Sequence, residues 1–214
     1  MDIVSFITFS VNTRYMLRWI VAGLMLLVPI LNFLSIGYLA KASNLFLIGG
    51  IGLPTWEEKG DIFRQGLYLL YIMILYLALP SFLFSCWFLL VSFGNLFTAF
   101  IGGIMKLLSA AAFVGCSFFI PFAFCAYSEK MELRSAFDFE AIMAAIKRVW
   151  VPYVFGYLVS GALVYVAFKF HRIPYIGFLL SSVLTYYILL VTTFYFTQLY
   201  RNTGLAVRDG RVRA

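Results

Sequence analysis

Four uninterrupted apolar runs dominate this chain of 214 residues, and they decide what it can fold into. Leu67–Val91 holds no charge over 25 residues; Leu107–Tyr127, Val149–Phe168 and Pro174–Tyr200 are of similar kind. About 20 apolar residues suffice for a helix to cross the ~30 Å hydrocarbon layer of a bilayer. Lipid offers the backbone no hydrogen-bond partner, so each run must satisfy its own amides as a helix. The alternation expected of a membrane-barrel strand is absent. Composition agrees: 64% of residues are hydrophobic and only 12% charged, against ~25% charged in soluble domains. A soluble enzyme, a disordered chain, a coiled coil and a secreted disulfide scaffold are all excluded. The expectation is one all-α integral membrane domain over residues 1–214, with four to five transmembrane helices and two amphipathic surface helices.

The number of spans turns on Trp19–Ala42. Its 24 residues are long enough to cross, but Pro29 and Asn32 break its middle, and Arg14, Arg18 and Lys41 flank it. It is also longer than the apolar core of a signal peptide. If it crosses, five basic residues stand opposite eleven. If it turns back at Pro29–Asn32 as a re-entrant hairpin, only Lys106, Lys169 and Arg172 oppose the other thirteen of the 16 Lys and Arg. Cytoplasmic loops concentrate basic residues, which leans toward the hairpin. Both readings put the two polar loops and the C-terminus in the cytoplasm, at a cell membrane. Arg201, Arg208, Arg211 and Arg213 then read as contacts to acidic lipid headgroups. The formal charge of +7 is explained by lipid rather than nucleic acid, because no basic patch is interleaved with stacking aromatics in a soluble segment.

In the first polar loop, Thr55 and Glu58 have capping-box spacing, which predicts a short interfacial helix from Thr55 with Trp56 at headgroup level. In the second, Ser135 and Asp138 predict a helix start, and Ala136, Phe139, Met143, Ile146 and Trp150 recur at helical spacing. That helix should lie flat on the membrane, with Asp138 and Glu140 at its start and Lys147 and Arg148 at its end.

Pro54-x-Trp56-x-x-x-Gly60-Asp61-x-Phe63-x-x-Gly66-Leu67, Ala136–Phe137–Asp138–Phe139 and the earlier Pro29–Phe33 and Gly37–Leu39 stretches together resemble one family. It is the uncharacterised prokaryotic membrane-protein family designated domain of unknown function four thousand and thirteen. The resemblance covers most of the chain and implies a polytopic membrane protein. It carries no catalytic role. Pro54, Trp56, Gly60, Asp61, Phe63, Gly66, Phe137, Asp138 and Phe139 are its candidate interaction residues.

Chemistry is otherwise sparse. No nucleophile elbow, zincin or Walker motif occurs, and one His cannot build a metal cluster. Cys86, Cys116 and Cys125 all sit in apolar runs without a C-x-x-C pair, the pattern of packed thiols. No cofactor or metal is expected. Ala111-x-x-x-Gly115 and Gly156-x-x-x-Ser160 are small-residue pairs that let membrane helices approach closely. The favoured reading is therefore a non-catalytic accessory subunit or homo-oligomeric scaffold, with lipids and other membrane subunits or itself as partners. A passive channel or lipid carrier is the alternative, and a membrane enzyme using Asp61 or Asp138 the third reading.

Overall fold

The structure, a computed structural model, describes residues 3–50 and 52–204. These residues form helices, with no strand among them. In chain order the helices are α1 (Ile3–Ser10), α2 (Thr13–Met25), α3 (Asn32–Leu47), α4 (Lys59–Ser92), α5 (Leu96–Lys130), α6 (Phe139–Arg148), α7 (Trp150–Lys169) and α8 (Gly177–Asn202). Four of them, α4, α5, α7 and α8, are long and apolar enough to cross a membrane. They contain the first two runs expected from sequence whole, and the other two except for Val149 and Pro174–Ile176. The protein is an all-α, multi-pass membrane protein.

The Trp19–Ala42 run does not form one rod. It is divided at Leu26–Leu31 into α2 and α3, which pack against one another. The Ser35 hydroxyl donates to the Ala22 carbonyl at 2.7 Å, an approach that a continuous helix would forbid, since thirteen residues of helix span ~20 Å. With 13 and 16 residues, the arms are ~20 and ~24 Å long, short of a full crossing. The hairpin is the form the chain adopts.

The chain divides into two compact units. The first comprises the chain up to Leu70 and from Phe122 onward; the second is Tyr71–Pro121. In the first, α8 is the post around which the rest is built. The α3 arm runs parallel to it: the Tyr186 hydroxyl donates to the Ser35 carbonyl at 3.1 Å, the Ser43 and Thr197 hydroxyls lie 3.4 Å apart, and Arg201 reaches the Phe46 carbonyl. The α2 arm runs antiparallel: Trp19 packs on Tyr187, and the Ser182 hydroxyl donates to the Gly23 carbonyl at 2.7 Å. Phe6 of α1 stacks on Phe194 at 4.1 Å between centroids. On the other side of α8, the Tyr195 ring covers Gly156 of α7, where a Cβ would collide with it. Thr192 donates to Ser160 at 3.2 Å. Phe122, Tyr153 and Phe196 meet edge to face between α5, α7 and α8.

The second unit is an antiparallel helical hairpin. Asn95 caps α5 through the Thr98 amide at 2.8 Å, and Gly94, at φ 71°, closes the turn. So α5 begins at Leu96, and the glycine-rich Ser92–Met105 stretch is mostly helix. Ser109 donates to the Pro80 carbonyl at 2.9 Å, and Lys106 sits over the Trp87 ring. Most of the exposed side chains here are apolar, the surface of helices whose solvent is lipid.

Two local expectations change. The helix expected from Thr55 does not form, and α4 begins at Lys59. Glu58 has a left-handed φ of 59° and gives its carboxylate to Lys41 instead of to an N-cap. In the second loop a 3-10 turn occupies Leu133–Phe137, so α6 starts only at Phe139. Its buried face is Ile142, Ala145 and Ile146, while Phe139 and Trp150 of the expected stripe stay exposed.

Candidate functional site at the Pro54–Trp56 segment

The motif around Trp56 is held by side chains that precede it in the chain. Leu53 and Pro54 are buried without regular secondary structure, so their carbonyls need donors from elsewhere. Arg18 of α2 supplies one group for both: Nη1 donates to Leu53 O at 2.6 Å and to Pro54 O at 3.1 Å. The Tyr38 hydroxyl of α3 also donates to Pro54 O, at 2.7 Å. The Tyr38 ring stacks on Trp56 with centroids 4.3 Å apart. Lys41, one turn on, donates to the Glu57 carbonyl and pairs with the Glu58 carboxylate at 3.0 Å. Burial pushes the Tyr38 phenol well above its usual pKa, although the Arg18 charge pulls the other way.

Gly37 and Gly66 bring the backbones of α3 and α4 together. A Cβ on Gly37 would strike the Ile62 carbonyl, and one on Gly66 the Phe33 carbonyl. Phe33 and Phe63 meet edge to face beside this crossing, 5.6 Å between centroids. The Phe33 and Gly37–Tyr38 stretches and the Pro54–Gly66 stretch, separate in sequence, are thus one packed unit. Arg18 and Lys41 are members that sequence reasoning did not include. Their only signal was position, as basic residues at the ends of the broken apolar run.

Other motif residues stand outside the clamp. Gly60 faces open space. Asp61 is exposed and pairs with Arg64 at 3.3 Å. Asp138 is exposed and caps α6, accepting from the Ala141 amide at 3.1 Å. Phe137 and Phe139 flank it in the α5–α7 connection. Neither carboxylate is enclosed in a cleft of the kind that would shape it for acid or base work. Among the described residues no group of three or more His, Cys, Asp or Glu could hold a metal ion. Ala111 and Gly115 are exposed, and Gly115 has nothing within reach of a Cβ. Arg201 donates to Phe46 O and Gln198 Oε1, both at 3.5 Å. Arg208, Arg211 and Arg213 lie outside the described residues.

Four membrane-capable helices, together with a clamped N-terminal hairpin, define a polytopic helical membrane protein. Residues 20–173 match DUF4013, a protein family of unknown function, and the chain belongs to that family. The matched stretch includes the hairpin from Ile20 onward, the Tyr38, Lys41 and Pro54–Trp56 parts of the clamp, and α4 to α7, while Arg18 lies just outside it. No curated protein and no solved structure matches the chain.

Proposed function

We propose that this protein is a non-catalytic scaffold or accessory subunit of a membrane assembly, binding other membrane subunits or further copies of itself through its apolar surface. The supporting observation is the α4–α5 hairpin at Tyr71–Pro121. It carries an open small-residue pair, Ala111 and Gly115, on a helix whose neighbouring side chains are exposed. Such pairs are where membrane helices approach most closely. The polar residues support the same reading. The hydroxyls of Ser182 and Tyr186 are spent on hairpin carbonyls and are not free to line a conduit. Asp61 and Asp138 are spent on an ion pair and a helix cap. In this reading the clamp is the structural core of the scaffold, and the polar loops and the C-terminus lie in the cytoplasm.

The test is extraction of the full chain from its own membrane into native nanodiscs. The expected result is a particle heavier than one chain, or a stoichiometric partner. A monodisperse single chain without copurifying protein overturns the proposal. Solute flux or lipid scrambling by the pure protein in liposomes, above that of empty liposomes, would favour the channel or carrier instead.

A further inference from the structure

Helix α6 has more apolar surface than the bundle uses. Ile142, Ala145 and Ile146 are buried, yet Phe139 is half exposed on the adjoining flank and Met143 only partly covered. A shallow, open groove of about 420 Å³ lies on this flank, lined by Phe139, Glu140, Met143, Ala144 and Lys147. From this geometry we infer that the flank seats an acidic phospholipid, with an acyl chain along Phe139, Met143 and Ala144 and the phosphate on Lys147. The inference stands independently of the scaffold reading.

Depth is the first argument. Ser135 donates to the Ala126 carbonyl at 2.9 Å, so the connection ahead of α6 folds back over the last turn of the α5 span. At the other end, Val149 alone separates α6 from α7, whose first residues Trp150 and Val151 are exposed and apolar. The groove therefore lies on a helix held between the end of one span and the start of the next, at the level where spans meet the headgroups. Charge is the second. Lys147 is exposed and has no carboxylate within ion-pair distance among the described residues, whereas Arg148 is committed to the Thr203 carbonyl at 2.5 Å. Glu140, seven residues earlier, lies ~10 Å away along the helix, leaving the phosphate to the lysine end. Area is the third. A stable protein interface buries ~800 Å² on each side, more than one flank of a ten-residue helix offers, while a single acyl chain needs only such a strip.

The test places a photoreactive benzoylphenylalanine at Met143 of the full chain in nanodiscs of mixed phosphatidylcholine and phosphatidylglycerol. Intact mass after illumination should show one added phospholipid, enriched in phosphatidylglycerol over the bulk ratio. The same probe at Ala141, exposed on another side of α6, should give no lipid adduct, and a probe at Phe139 should repeat the Met143 result. Lys147→Gln should reduce the phosphatidylglycerol enrichment about fivefold while keeping the adduct. Absence of lipid adduct at both Met143 and Phe139, equal adducts at Ala141 and Met143, or an enrichment indifferent to Lys147→Gln would overturn the inference.

Discussion

One methyl group separates Gly66 from alanine, and at this position there is no room for it. The atom in the way is the Phe33 carbonyl, part of the α3 backbone, and at Gly37 it is the Ile62 carbonyl of α4. Backbone cannot swing aside as a flexible side chain can. Gly37→Ala and Gly66→Ala should each cost about 1–3 kcal/mol, toward the upper end. Gly60→Ala, in open space within the same helix, should be neutral or stabilise by up to ~1 kcal/mol. Thermal unfolding in detergent, run side by side, checks the contrast; equal effects at Gly60 and Gly66 would refute the close crossing. The clamp makes a second prediction. Tyr38→Phe removes one of two donors to Pro54 O and should cost ~0.5–1.5 kcal/mol, whereas Arg18→Met strips Leu53 O of its donor and should cost ~1–3 kcal/mol. Little of this was legible locally. Thr55 and Glu58 have the spacing of a capping box, but Lys41, distant in sequence, takes the Glu58 carboxylate. A tertiary contact outweighs the local preference there, and no window around Thr55 contains it.

Among the elements, the four long helices were legible because lipid leaves a span few choices: a charge-free run of about 20 residues or more must be helix. The N-terminal hairpin was legible only in part. Pro29 and Asn32 mark the break, and the distribution of basic residues leans the right way, but the bond from Ser35 to Ala22 has no signature in sequence. It has a topological consequence. Cysteines at Asn12, Glu57 and Asn202 should react with an impermeant maleimide from one side of the membrane, and one at His171 from the other. Labelling of Asn12 and Glu57 from opposite sides would mean that the α2–α3 segment crosses after all. In α6, periodicity located an amphipathic helix but not which of its two apolar stripes faces inward. Phe139 and Ile142 sit on neighbouring flanks, and only the packing of the bundle chooses between them.

For the whole molecule, composition alone gave the class, since 12% charged residues cannot clothe a soluble globule of this size. It could not reveal that the exposed apolar surface is unevenly shared, with Tyr71–Pro121 contributing few buried side chains. The assembly proposal makes its prediction here. A Cβ at Gly115 has nothing within 4 Å among the described residues, so Gly115→Leu should leave the unfolding temperature at the parent's, while the assembled particle in native nanodiscs should dissociate toward single chains. A variant that remains assembled would place the contact on another surface.

The fastening of the first hairpin to the last helix has a cost in time. Ribosomes deliver α2 and α3 long before α8, yet the Gly23 carbonyl receives the Ser182 hydroxyl and the Ser35 carbonyl that of Tyr186. Through most of translation those two hydroxyls do not yet exist, and the newborn hairpin has no post to lean on. Packing of its arms against α8 therefore completes only after the final span has emerged, so the hairpin is among the last parts of the chain to make its native contacts.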